Sequence, residues 1–194
     1  MSAIITDQLR ILNSESFVSG VGSTANSYYV WIGLPNATEF DSDWAENPPA
    51  PKDSFSEERD YWDTMLALKR INAADVVRVV RKINWSSGTT FEMYRDDYSR
   101  SNISPVTSST TLYDTNYYVM NSDYRVYICL QNGTNPENPD GRPSLDEPLF
   151  TDLEPRSAGT SGDGYIWKYL FTIKPNDLIK FDSTSFIPLP QDWL

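Results

Sequence analysis

The segment Tyr165-Ile166-Trp167-Lys168-Tyr169-Leu170-Phe171 most narrows the folds open to this chain. In a strand, successive side chains point to opposite faces. Tyr165, Trp167, Tyr169 and Phe171 therefore share one side, and Ile166, Lys168 and Leu170 share the other. Such an aromatic face is buried in the chain's own core or against a partner, and both readings stay open at this point.

Other segments supply its neighbours. Arg125 to Gln131 and Tyr117 to Met120 predict a hairpin across Asn121-Ser122-Asp123, whose side chains favour chain reversal. Tyr28-Tyr29-Val30-Trp31-Ile32 predicts a strand rich in β-branched and aromatic residues. Residues 76–84 and 91–95 predict a further hairpin across Ser86-Ser87-Gly88. Two helices are expected. Residues 6–17 place Leu9, Leu12 and Phe17 roughly on one side, with Gly20 and Gly22 beyond. Residues 56–70 follow the capping box Ser54-Phe55-Ser56-Glu57, with Phe55, Trp62, Met65, Leu66 and Leu68 as the apolar face. Lys174-Pro175-Asn176-Asp177 ends the aromatic strand, and Ile187-Pro188-Leu189-Pro190 reads as a stiff extended tail. The expected class is α+β: β-rich, mostly antiparallel strands, two or three helices and long Pro-rich loops, in one domain over residues 1–194.

Composition removes several chemistries. The chain has no His and a single Cys, Cys129, which excludes a Ser-His-Asp triad, a Cys-His dyad, an imidazole metal site and an internal disulfide. A net charge of −11 opposes a phosphate backbone, so no nucleic acid is expected as partner. No apolar run approaches the length of a membrane span, and no secretory signal opens the chain, so no membrane is expected. Charge is uneven, with an acidic block from Glu39 to Asp63 and a basic group of Lys69, Arg70, Arg78, Arg81 and Lys82. That pattern fits charge-complementary assembly or, equally, solvated faces.

Gly162-Asp163-Gly164 precedes a strand, the reverse of a phosphate cradle. Asp41, Asp43 and Glu46 near Trp44, or Asp96 and Asp97 beside Tyr94 and Tyr98, are carboxylate pairs of the kind glycosidases use, but 27 acids in one chain must cluster somewhere. Asn138, Asp140, Gly141 and Glu147 match part of a calcium-loop spacing, with Pro136 where the first carboxylate belongs and no flanking amphipathic helices. No catalytic residue, cofactor or metal is expected. The long loops at 35–51 and 132–164 are read as docking segments, anchored by Trp44 and by Leu149-Phe150, with collapse onto the chain's own core as the open alternative.

The string Gly162-Asp163-Gly164-Tyr165-Ile166-Trp167-Lys168-Tyr169-Leu170-Phe171-Thr172-Ile173 resembles a stretch of the baseplate wedge protein of T-even-type contractile-tailed phages, the product of gene eight in that group. In order, residues 44–54, 62–85, Val126-Tyr127-Ile128-Cys129-Leu130 and Ile187-Pro188-Leu189-Pro190 extend the resemblance over nearly the whole chain. The N-terminal part looks most like versions carried by marine cyanophages. The resemblance implies a structural virion protein without catalysis. It would be assembled in the host cytoplasm, dimeric within a wedge, in contact with other wedge proteins, and part of the change that triggers sheath contraction. The family protein continues beyond the point matching Leu194, so the chain is expected to correspond to its N-terminal portion, either as a shortened version or as a piece of a longer product. Trp44, Leu149, Phe150, Tyr165, Trp167 and Tyr169 are the candidate interface residues. The alternative is a glycan-binding receptor-recognition module of a phage tail, built on Trp and Tyr platforms.

Overall fold

A computed structural model describes residues 7–33, 62–96 and 115–190. The loop at 35–51, the capping box at 54–57 and the polar stretch at 97–110 lie outside the described residues. The fold is α+β and β-rich. Two helices and seven strands are present among the described residues, and the strands pair antiparallel in small sheets. The chain divides into two compact units, Met1–Val76 and Val77–Leu194.

The first unit opens with helix α1 (Asp7–Gly22), longer than the sequence pattern predicts. Its last turns pack on strand β1 (Tyr28–Gly33): the Phe17 ring meets the Tyr28 ring edge-on at 5.9 Å, and Val21 is buried. Strand β1 pairs with β2 (Met65–Ile71), placing Tyr28 opposite Ile71, Val30 opposite Lys69 and Trp31 opposite Leu68. This corrects the helix expected over 56–70. Trp62 and Asp63 are helical, but Met65 onward is strand, and residues before Trp62 lie outside the described part. Met65, Leu66, Leu68 and Ile71 satisfy a helical stripe, yet pairing with a β-branched and aromatic strand outweighs that weak preference. A single 3₁₀ turn, Ala73–Asp75, then stops the strand. The Asn72 side chain accepts the Ala74 amide at 2.9 Å, and Asp75 accepts the Asn72 amide at 3.1 Å in a reciprocal capping box.

The second unit is built on the sheet β4 (Tyr118–Met120), β5 (Arg125–Asn132), β6 (Tyr165–Thr172), in that order. The predicted β4–β5 hairpin is present. The Asn121 side-chain oxygen accepts the amides of Asp123 and Arg125, each at 2.9 Å, and Tyr124 takes the left-handed conformation at φ 57°. The hairpin expected between residues 76–84 and 91–95 is absent. Strand β3 (Val79–Arg81) pairs instead with β7 (Phe186–Pro188), and the Leu189 amide donates to the Arg78 carbonyl. The extended tail is thus a strand. Ile187 and Pro188 are buried, which offsets the amide donor that Pro188 lacks. Lys174-Pro175 ends β6 by starting helix α2 (Pro175–Phe181), proline standing at the first helical position where no amide partner is needed.

Apolar side chains gather in two clusters, one containing Phe91, Val119, Tyr127, Cys129, Tyr165 and Trp167, the other Met120, Val126, Phe171, Ile173 and Ile187. Phe171 therefore departs from the face expected for it. Phe171 pairs with Val126 but Tyr169 pairs with Tyr127, so Leu170 is an extra residue in β6. One extra residue turns the strand over and sends Phe171 to the second cluster.

Candidate assembly surface

In the second unit, the aromatic face of β6 is core. Tyr165 and Trp167 are fully buried, their rings stacked at 5.3 Å, and Phe91 meets both edge-on. These two cannot act as surface anchors, because the chain's own loops already cover them. Tyr169 is half-buried against Tyr127, at 5.8 Å, and its hydroxyl lies 2.7 Å from that of Thr172. Burial lifts the Tyr165 hydroxyl to about 12, opposed by its hydrogen bond with Phe91. Burial likewise raises Tyr127 and Cys129, so the lone thiol stays protonated and unreactive.

The long loop at 132–164 lies on this core and is held there by specific bonds. The Tyr127 hydroxyl donates to the Phe150 carbonyl at 2.6 Å, the Arg125 guanidinium donates to the Leu149 carbonyl, and Asn121 donates to the Pro148 carbonyl at 2.8 Å. Phe150 has collapsed inward, edge-on to Tyr127 at 5.4 Å, with the Arg156 guanidinium 4.5 Å above its ring. Leu149, held by its backbone alone, points away and is 53% exposed; Leu145 and Leu153 are also exposed. Of the predicted anchors, then, Leu149 is free for a partner, Phe150 is committed to the core, and Trp44 lies outside the described residues.

Asp163 explains the Gly-Asp-Gly turn. Its buried carboxylate accepts the amides of Leu145 at 2.9 Å and Tyr165 at 3.0 Å, tying the loop to the start of β6. The calcium-like spacing has another use. The Asn135 side chain accepts the Asn138 amide at 2.7 Å, and Glu147 accepts the Ser122 amide at 2.7 Å. Among the described residues, no group of three or more metal-ligating side chains is placed to hold an ion. The basic residues are largely engaged within their own units: Lys69 pairs with Asp75 at 2.7 Å, Lys82 with Asp182 at 2.8 Å, and Arg81 donates to the Thr115 carbonyl at 2.6 Å.

One exposed apolar surface among the described residues was not anticipated as a site. In the first unit, Tyr29, Val30, Trp31, Ile32, Leu66 and Leu68 are each 41–64% exposed along the β1–β2 ribbon. The register places Tyr29, Trp31 and Leu68 on one side, and Val30 and Ile32 on the other. A two-stranded ribbon is marginal in water unless a third strand, a helix or a partner covers a face. The signal was available in Tyr28-Tyr29-Val30-Trp31-Ile32, an apolar run with no polar alternation. Such a strand is built to be covered on both sides. No described helix is long and apolar enough to cross a membrane. Comparison with protein-family models and with curated proteins finds no match to the chain.

Proposed function

We propose that this chain is a structural subunit of the tail baseplate wedge of a contractile-tailed phage. In this role it holds neighbouring wedge proteins together and takes part in the baseplate change that precedes sheath contraction. The observation that carries the reading is the β1–β2 ribbon, where Tyr29, Val30, Ile32 and Leu68 are each more than half exposed, on both faces. Patches of this kind mark surfaces that other proteins cover. The sequence resemblance supplies the kind of partner: other wedge proteins and a second copy within the wedge, in the virion, with no catalytic step. The buried β6 is consistent with this division of labour, since the string that carries the resemblance forms the core strand and leaves the ribbon and Leu149 for neighbours.

The test is a reconstruction of an intact tail from a phage encoding the chain. The expected result is density for it in the wedges around the hub, with Trp31, Leu68 and Leu149 covered by neighbouring subunits. Finding it in the capsid, or missing from the particle, overturns the reading.

A further inference from the structure

The second unit contains a cavity of about 450 Å³ at the far end of the β5–β6 pair. That volume lies within the roughly 300–1,000 Å³ of small-molecule sites. Its walls are unusual for one, being polar almost throughout: Gln131, Asn132, Thr134, Asn135 and Arg142, with Met93 the apolar side chain among them. Gly133 and Gly164, both at positive φ, complete the wall where backbone approaches backbone.

Counting donors and acceptors defines what fits. Asn132 is used up by the chain itself: its amide donates to the carbonyls of Phe91 at 3.0 Å and Asp140 at 3.2 Å, and its oxygen accepts the Thr134 hydroxyl. The Asn135 oxygen is likewise taken, by the amides of Glu137 at 3.1 Å and Asn138 at 2.7 Å, which leaves its NH₂ as the group on offer. The Arg142 guanidinium has no hydrogen-bond or ion-pair partner among the described residues, although its backbone is fixed by the Asn132 carbonyl at 2.9 Å and the Tyr165 hydroxyl at 2.6 Å. Among the described residues no carboxylate lines the cavity, and both oxygens of nearby Asp163 are bound to backbone amides. The wall therefore carries a surplus of N–H donors and one positive charge that no described residue compensates, in a chain of net charge −11. Arginine pairs with a carboxylate through two parallel bonds, and unsatisfied donors in a concave site favour a ligand rich in acceptors.

We propose that this cavity binds a hydroxylated carboxylate of the uronic-acid class. The carboxylate would sit on Arg142, and the ring hydroxyls would meet Gln131, Thr134 and the Asn135 NH₂. The donor surplus favours a carboxylate over a neutral sugar. The several separate polar groups around one cavity favour a polyhydroxylated ring over the single acidic group of a protein side chain. The proposal does not rest on the assembly reading, and either can fail alone.

The test is an amide-resolved NMR titration of the whole chain with sodium glucuronate, glucose and N-acetylglutamate amide. The expected result is saturable shifts confined to Gln131–Asn135, Arg142 and Gly164. Glucuronate should bind at least about tenfold more tightly than glucose, since a hydrogen bond to a charged group is worth about that factor. Arg142→Gln should lose at least about tenfold of that affinity while keeping the spectrum of a folded chain, because only the side chain beyond the fixed backbone changes. Asn135→Ala gives a second variant, expected to weaken glucuronate without altering its preference over glucose. The proposal is overturned by the absence of shifts, by equal binding of glucose, by equal or tighter binding of N-acetylglutamate amide, or by unchanged affinity in folded Arg142→Gln.

Discussion

Gly133 and Gly164 lie backbone against backbone, so close that a Cβ on Gly164 would stand 2.7 Å from the Gly133 Cα. Both residues occupy the left-handed region, at φ 71° and 88°. This contact lets the 132–164 loop leave and rejoin the sheet at one point. Gly164→Ala should cost about 2–5 kcal/mol, combining about 1–2 for the left-handed backbone with about 1–3 for overpacking. Gly162 is the control. It also has positive φ, at 70°, but nothing lies within 4 Å of its added Cβ, so Gly162→Ala should cost only about 1–2 kcal/mol. Urea denaturation of the two variants separates strain from crowding; equal losses would show that the contact is unimportant.

Tyr165 closes the same region from inside. Its hydroxyl accepts the Phe91 amide at 2.9 Å and donates to the Arg142 carbonyl at 2.6 Å. Tyr165→Phe keeps the ring stacked on Trp167 but strands a buried donor, and should cost about 1–3 kcal/mol at neutral pH. The same residue gives an alkaline signature. Burial raises its pKa from the ordinary 10.0 to about 12, so between those values the folded chain keeps a proton that the unfolded chain has lost. The associated stability is intact below pH 10 and lost as pH rises through about 12. Stability profiles from pH 8 to 11.5 should therefore fall less steeply in Tyr165→Phe than in the wild type, with a residual slope from Cys129 and Tyr127, both also raised by burial.

Lys82 anchors the second small sheet. Its ammonium reaches both carboxylate oxygens of Asp182, at 2.9 and 2.8 Å, and both side chains are about four-fifths covered. Lys82→Ala and Asp182→Ala should each lose about 1–3 kcal/mol, because each leaves a partly desolvated charge behind. A double-mutant cycle should return a coupling of about 0.5–3 kcal/mol that shrinks in high salt. Additive losses would mean that the Lys82–Asp182 pair contributes nothing to holding β7.

Local chemistry was legible where it sufficed to set local structure. The β4–β5 turn could be read because Asn121 makes its own bonds to Asp123 and Arg125. Alternation put Tyr165 and Trp167 on one face, but it left open whether the chain's own core or a partner covers that face, and the structure buries both in the core. The departure of Phe171 from that face could not be read, since nothing in the sequence marks Leu170 as the residue that turns the strand over. Strand β3 lies within the strand expected over 76–84, but its pairing was not legible, because the partner Phe186–Pro188 lies at the far end of the chain, whereas sequence patterns favour neighbours. Met65 to Leu68 match helix and strand alike, and the partner strand decides. The cavity was missed for a similar reason: Asn132 and Arg142 are brought together by turns at Gly133 and Gly141, and only the Gly and Asn content of those turns hinted at it.

The ribbon offers the sharpest separation between folding and assembly. Trp31 and Leu68 stand opposite each other and remain 41% and 52% exposed, so neither contributes a fully buried side chain to the unit. Replacing both with Ser should leave the chain folded, at a cost of about 1–3 kcal/mol, the range of most substitutions outside a core. At an interface the same pair has the character of a hot spot, an aromatic anchor beside an aliphatic one, where truncation typically costs at least about 2 kcal/mol. Incorporation into tails should accordingly fall by at least about 30-fold. Quantitative mass spectrometry of particles from a complemented phage measures this directly, with Ile179→Ser as the control because Ile179 is exposed in the second unit, outside the ribbon. Wild-type incorporation of the Trp31→Ser, Leu68→Ser chain would remove the ribbon as an assembly face. Equal loss in the Ile179→Ser chain would show that the effect is not specific to the ribbon.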